Sequence, residues 1–117
     1  MNQNVRIAKE LVRIAKQLMA ATAYDLAQEA IDCTDPERLA QLAEENINDW
    51  EVLAAVAENE NTDPFTLKKI ARGTSDENVL AALAYNPKTP KAILESLVKD
   101  GGEYVSGIAQ KTLTNRK

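Results

Sequence analysis

The chain has 117 residues, the length of one domain that can bury a hydrophobic core. Hydrophobic residues make up 44% of it, which argues against disorder, and aromatic residues only 4%, so the core must be aliphatic. The formal net charge of −4 argues against a general nucleic-acid-binding protein. The single cysteine, Cys33, cannot form an internal disulfide, and the absence of histidine removes the commonest general base and metal ligand.

The first predicted element is a helix over residues 4–19, in which a seven-residue unit, VRIAKEL and then VRIAKQL, is almost identically repeated. On a helix, four large aliphatic residues share one apolar face: Ile7, Leu11, Ile14 and Leu18. We expect this face to pack inward as a cap, because the end of a stacked-repeat domain must be covered. Four basic residues would then remain in water: Arg6, Lys9, Arg13 and Lys16.

Two other interpretations of this segment stay open. The heptad repeat also permits a coiled coil that binds a partner or a second copy, although the segment has only two heptads. A basic amphipathic helix can lie on a membrane surface, although this one has no bulky aromatic anchor. The next segment, residues 23–33, predicts a second helix that completes a partial repeat (1–33), with one apolar side: Leu26, Ala27, Ala30 and Ile31.

Residues 34–113 contain three related copies, followed by a short tail at 114–117. The copies occupy residues 34–61, 62–88 and 89–113, and their first residues are all threonine: Thr34, Thr62 and Thr89. A fixed period in this size range is typical of stacked-repeat architectures.

Each copy predicts two short helices. In the first helix, a capping side chain precedes a proline: Asp35-Pro36, Asp63-Pro64 and Thr89-Pro90. Apolar residues three apart then form one face: Leu39 and Leu42, Leu67 and Ile70, Leu94 and Leu97. For the second helix, two pairs have the spacing of a capping box: Asn48 with Glu51, and Thr74 with Glu77.

The second helices carry similar apolar runs, and polar turns connect the copies. The runs are Val52–Ala57, Val79–Ala84 and a weaker third, Tyr104–Ala109. The turns between copies are expected at Asn59–Thr62 and Asn86–Thr89. Gly101-Gly102 is expected to end one helix and form a turn.

This pattern resembles the leucine-rich repeat variant, a helical relative of HEAT repeats. The motif that carries the resemblance is Asn86-Pro87-Lys88-Thr89-Pro90 with Ile93-Leu94 and Leu97-Val98 after it. The resemblance implies an all-α, right-handed solenoid of short helix pairs. The family often has arginine where this chain has Leu53 and Leu80. An iron–sulfur cluster in one family member requires clustered cysteines, so no cofactor carries over to this chain, and the family has no shared catalytic residues.

Charge and aromatic residues supply the candidate binding positions. Residues 34–61 hold eight acidic residues and one basic residue, whereas residues 62–117 hold nine basic and six acidic residues. The acidic block is either a solvated surface or a surface for a basic partner. Within it, Glu44 and Glu45 are adjacent and do not stack on one helix face, so they do not form a catalytic carboxylate pair. Trp50 and Tyr85 are either interface anchors or edge packing between repeats.

The sequence therefore predicts a non-enzymatic protein-interaction or scaffold module that needs no metal or cofactor. We expect it to be monomeric, to bind a protein rather than nucleic acid or membrane, and to be cytoplasmic, because charges interrupt any N-terminal export signal. One alternative is a nucleic-acid-associated HEAT-like protein that uses five basic residues: Lys68, Lys69, Arg72, Lys88 and Lys91. Another is a structural or assembly component of a phage or mobile element, with the N-terminal helix as the handle.

Overall fold

The computed structural model describes Lys9, Leu11 and residues 23–116, and over these residues it contains helices and no strand. Lys9 and Leu11 are helical; the rest of the predicted 4–19 helix lies outside the described residues. The helices from residue 23 onward are α1 (Ala23–Asp32), α2 (Pro36–Glu45), α3 (Trp50–Glu58), α4 (Pro64–Gly73), α5 (Glu77–Tyr85), α6 (Lys91–Asp100) and α7 (Gly102–Asn115). The all-α prediction is confirmed.

The Asp-Pro signals start two of the helices as predicted. The Asp35 carboxylate accepts from the backbone N–H of Glu37 at 3.0 Å at the start of α2, and Asp63 accepts from Thr66 at 2.8 Å at the start of α4. Proline follows each cap, where it loses no helical hydrogen bond.

The third start signal was misassigned. Helix α6 begins at Lys91 with Pro90 before it and has no side-chain cap. Thr89 is fully buried, and its hydroxyl donates to the Leu83 carbonyl at 2.8 Å, just as Thr62 donates to Val56 at 2.6 Å. Thr89 therefore closes the turn after α5: its hydroxyl donates to a carbonyl of the preceding helix, and no side chain caps α6.

The predicted capping boxes were also wrong about the capping residue. Asp49, not Asn48, accepts from the Glu51 N–H at 3.2 Å, and Asp76, not Thr74, accepts from Asn78 at 2.8 Å. The carboxylate directly before each helix is closer to the free N–H groups of the first turn. Thr74 instead accepts from the backbone N–H of Asp76 at 3.1 Å.

The core is aliphatic and lies between two layers of helices. Helices α1, α3, α5 and α7 contact one another in that order; we call them the inner row. The outer helices α2, α4 and α6 each contact the inner helices that flank them in sequence. The predicted apolar faces of the outer helices are confirmed as buried: Leu39, Leu42, Leu67, Ile70, Leu94 and Leu97. On α1, Ala27 and Ala30 are buried as expected, but Ile31 is 55% exposed because it points away from α3 and the core.

Buried asparagines connect the C-terminal ends of the inner row. The side-chain amide of Asn59 donates to the carbonyls of Ala30 and Cys33, both at 2.7 Å. The amide of Asn86 repeats this with Ala57 at 2.8 Å and Asn59 at 3.0 Å. We call this series the asparagine ladder. Because each contact joins one C-terminal end to the next, the inner helices run in the same direction.

The last rung of the ladder uses a different side chain. The Thr112 hydroxyl donates to the Ala84 carbonyl at 2.6 Å, where an asparagine would stand in the earlier copies. Val105 and Ala109 are fully buried, like Val79 and Leu83 of α5, whereas Tyr104 is 60% exposed. The third apolar run therefore matches the others from Val105 onward, one residue later than predicted.

Candidate interaction surface

All five aromatic side chains of the chain lie on the surface. Their exposed fractions range from 47% for Trp50 to 69% for Phe65. The full set is Tyr24, Trp50, Phe65, Tyr85 and Tyr104. Aromatic rings normally supply much of a core, so a fold that leaves each of them in water is unusual.

Alanines explain why no ring enters the inner row. Ala30, Ala57 and Ala84 are fully buried where neighbouring helices meet, and small residues allow close helix approach. Three of the aromatic residues lie in the first three positions of their helices: Tyr24 in α1, Trp50 in α3 and Tyr104 in α7. Because the ladder aligns the C-terminal ends of the inner row, these three residues share the opposite edge.

Trp50 and Tyr85 were the aromatic residues singled out by the sequence, and each is partly packed and partly free. Trp50 lines a shallow depression together with Gly73 and Thr74 at the end of α4. Tyr85 lines a cleft of about 260 Å³ with Ile108 and Thr112 of α7. Both rings therefore rest against the next copy along the row and still present roughly half of their surface to water, 47% and 59% exposed respectively.

Two grooves separate the outer helices. The α2–α4 groove has a volume of about 330 Å³ and the α4–α6 groove about 480 Å³. The first contains Phe65 and Ile47 in its walls, and the second has Leu80 and Ile93 on its floor. Both volumes fall in or near the range of natural binding pockets, roughly 300–1,000 Å³.

The two grooves are built from equivalent positions of successive copies. Ala43 in the α2–α4 groove corresponds to Ala71 in the α4–α6 groove, one 28-residue step later. By the same step, Glu44 corresponds to Arg72. The two linings thus share corresponding sequence positions, and at one of these the charge changes from negative to positive.

The acidic candidates lie on or beside the α2–α4 groove. Glu44 is exposed and lines the groove, while Glu45 is exposed and accepts a long hydrogen bond from Gln41 at 3.4 Å. The carboxylate of Glu29 on α1 pairs with Arg38 on α2, with 2.5 Å between Oε2 and Nε. Hydrogen bonding by Arg38 lowers the pKa of Glu29, and the same bond raises the pKa of Arg38.

The basic candidates do not form one stripe. Lys68 and Arg72 line the α4–α6 groove, whereas Lys69 lines the α2–α4 groove with its ammonium 5.6 Å from the centre of the Phe65 ring. Lys88 and Lys91 are exposed, and neither lines either groove. The set proposed for nucleic acid is therefore divided between two surfaces.

The N-terminal candidates are only partly within the described residues. Lys9 is exposed, while Arg6, Arg13 and Lys16 lie outside the described residues. The prediction that Leu11 packs inward is wrong, because 60% of its surface is exposed. A side chain that keeps most of its surface in water cannot contribute the burial expected of a cap.

The described residues contain no group of three or more His, Cys, Asp or Glu side chains that could hold a metal ion. Cys33 is a free, partly buried thiol that donates to the Asp35 carbonyl at 3.5 Å. No helix in the described part of the chain is long and apolar enough to cross a membrane. Comparison of the chain with protein-family models, curated proteins and solved structures finds no match.

Sequence reasoning missed both grooves and three of the exposed aromatic residues. The α4–α6 groove is lined by residues of both helices, among them Arg72 of α4 and Ile93 of α6, and spacing alone does not show which helices leave a gap. A signal for two of the exposed rings was present, because Tyr24 and Phe65 lie at helix starts outside the predicted apolar faces, whereas Tyr104 is the first residue of the predicted third apolar run.

Proposed function

We propose that this chain is a right-handed solenoid of helical repeats that acts as a non-enzymatic protein-interaction or scaffold module. The observation that carries the proposal is the exposure of all five aromatic side chains above an aliphatic core. Tyr, Trp and Phe are enriched in protein interfaces, where they supply much of the binding energy.

The aromatic residues are exposed although the fold has no structural need for them there. An exposed ring gains little for folding, and contiguous apolar surface raises the risk of aggregation. A binding partner would bury the rings and gain their transfer free energy. Exposed aromatic side chains on rigid helix ends thus fit a surface that is completed by a partner.

The recurring geometry supports the solenoid interpretation. The asparagine ladder uses the same donor and acceptor positions in successive copies, and the two outer grooves share equivalent wall positions. Stacked helix pairs of this kind create extended surfaces whose side chains can vary while the fold is kept.

A matched pair of variants tests the proposal. Trp50→Ala combined with Tyr85→Ala removes two half-exposed rings, and the control Ile31→Ala removes apolar surface that is 55% exposed but not aromatic. Both proteins are expected to fold, but the double variant should melt at a lower temperature than the control, because roughly half of each ring is buried and apolar burial contributes about 25 cal/mol per Å². Capture is therefore done at a temperature at which circular dichroism shows that both proteins are folded.

The tagged proteins are then used for affinity capture from lysate of the source organism, with mass spectrometry as the readout. We expect the control to retain the proteins that the wild type enriches, and the aromatic double variant to lose them. Identical enrichment by all three proteins would contradict the proposal.

The exposure of Leu11 favours a second candidate, an assembly component that uses its N-terminal helix as a handle. Leu11→Asp should then abolish capture of a partner and leave Tm unchanged. A lowered Tm with unchanged capture would instead show that Leu11 has a structural role.

A further inference from the structure

We infer that the α4–α6 groove binds a short amphipathic helix of a partner protein, with acidic side chains along one of its edges. This inference rests on the proposed interaction function and names the kind of partner segment. It depends on the shape of the groove, on its charge and on the contrast with the α2–α4 groove.

The floor of the groove is apolar and accessible. Ala71, Leu80 and Ile93 line it and are only partly buried, although they pack against the core. The wall formed by α6 runs from Ala92 to Gly101, about 13 Å along the helix axis. This length matches roughly two turns of a docked helix, whose apolar residues at helical spacing would cover the floor.

The charge of the groove defines which edge of that helix must be acidic. Lys68 and Arg72 are one turn apart on α4, so they lie on the same side of the groove. Neither takes part in an ion pair within residues 23–116. The acidic group on the lining is Asp100, at the C-terminal end of α6, so the groove carries two basic groups and one acidic group, and carboxylates of the ligand are favoured along α4.

The α2–α4 groove provides an internal comparison. It has Ala40 and Glu44 where the α4–α6 groove has Lys68 and Arg72. An acidic helix would therefore lose both of these favourable charges in the α2–α4 groove and meet the Glu44 carboxylate, with Lys69 as the basic group on that lining. The lining of the α4–α6 groove thus carries two basic groups and one acidic group, whereas that of the α2–α4 groove carries one of each, so an acidic helix should prefer the α4–α6 groove.

The probe is a fluorescein-labelled synthetic peptide of about 11 residues that places Leu on one helical face and Glu along one edge. Its uncharged twin carries Gln in place of each Glu. A labelled oligothymidylate tests the nucleic-acid alternative. Binding is followed by fluorescence anisotropy at constant ionic strength, because exposed charges are screened by salt.

Two double variants change the net charge equally. Lys68→Glu with Arg72→Glu reverses the wall of the groove, and Lys69→Glu with Lys88→Glu reverses two exposed lysines outside it. All four side chains are exposed, so equal melting curves are expected and will be checked first. The groove variant should weaken binding of the Glu peptide about tenfold or more, and the control variant less than about threefold.

Equal losses in the two variants, equal binding of the Glu and Gln peptides, or no binding of the Glu peptide would each overturn the inference. If the oligothymidylate bound more tightly than the Glu peptide and the groove variant lost that binding, the ligand of the groove would be nucleic acid and not a helix. Any of these results would leave the proposed function standing if capture still depends on Trp50 and Tyr85. If capture did not depend on Trp50 and Tyr85 while the Glu peptide still bound, only the proposed role of the aromatic residues would be contradicted.

Discussion

The side-chain amide of Asn86 donates to the backbone carbonyl of Asn59 at 3.0 Å, although 27 residues separate them. Asn59 does the same to Cys33 at 2.7 Å. Both asparagines are at least nine-tenths buried, and the described residues contain no buried side-chain N or O atom that lacks a hydrogen-bond partner. A shift of one helix along its neighbour would leave these amides unpaired inside the protein, which is costly. The ladder therefore fixes the register of the inner row.

Asn86→Ala should lower the free energy of unfolding by about 2–4 kcal/mol, because it removes a buried donor from the Ala57 carbonyl and one of the two donors to the Asn59 carbonyl, which still accepts from the Thr62 N–H. It also removes the acceptor of the Lys88 N–H. The control is Asn78→Ala on the exposed side of α5, which should stay within about 0.5 kcal/mol. Urea titration followed by circular dichroism compares them, and equal losses would contradict the ladder.

Leu67→Ala should cost about 2–5 kcal/mol, since Leu67 is fully buried between the layers and its removal leaves a cavity. Leu11→Ala makes the same chemical change at a side chain that is 60% exposed and should cost less than about 1 kcal/mol. The exposed Ser96→Ala should be close to neutral. A Leu11 loss as large as that of Leu67 would restore the cap interpretation of the N-terminal helix.

Replacement of glycine by alanine should destabilise the protein at Gly101 and Gly102 and stabilise it at Gly107. Gly102 has φ +81°, so Gly102→Ala should cost about 1–2 kcal/mol. A Cβ on Gly101 would lie 2.5 Å from the Leu97 carbonyl oxygen, so Gly101→Ala should also destabilise. Gly107 has open space around its Cα within a helix, and Gly107→Ala should stabilise by about 0.5–1 kcal/mol. Thermal melts of the three variants test this order, and a destabilising Gly107→Ala would contradict the packing of α7.

The pair between Glu29 and Arg38 should make a small contribution that depends on pH. The folded state lowers the pKa of Glu29, so the pair stabilises the fold above the unfolded pKa and is lost as the pH falls through the folded value. Glu29→Gln should have a lower Tm than the wild type at pH 7, and the difference should shrink as the pH falls below the ordinary pKa of a glutamate side chain towards the lower pKa of folded Glu29. Glu60→Gln, at an exposed turn position, is the control and should show no such convergence. A Tm difference between wild type and Glu29→Gln that stays constant as the pH is lowered through the acid range would exclude the ion pair as its cause.

The sequence predicted what depends on local chemistry. Asp35 and Asp63 start helices because a capping oxygen and a proline act within one turn of chain, and Leu67 is buried because helical spacing places it on the apolar face. The same reasoning failed at Thr89, whose hydroxyl donates to the Leu83 carbonyl of the preceding helix and accepts no N–H from the first turn of α6. Thr89 is fully buried, and its place beside α5 depends on how the helices pack.

Contacts between residues that are far apart in the sequence could not be predicted from the sequence pattern. The turn at Asn86 was predicted, but its bond to Asn59 depends on how closely α3 and α5 approach. Likewise, the charges of Lys68 and Arg72 were visible, whereas the apolar floor beside them results from the gap between α4 and α6. Trp50 and Tyr85 were singled out as possible anchors, and only the structure shows that both rings remain half exposed.

The central claim, on which both proposals depend, is that the inner helices stand side by side in register through the asparagine ladder. Nuclear Overhauser spectroscopy of the full chain, with the side-chain amides of Asn59 and Asn86 assigned, tests it most directly. The account predicts slow exchange of both amides with water and cross-peaks from the Asn86 amide to Ala57 and Asn59. Rapid exchange, with cross-peaks only to residues close to Asn86 in sequence, would contradict it.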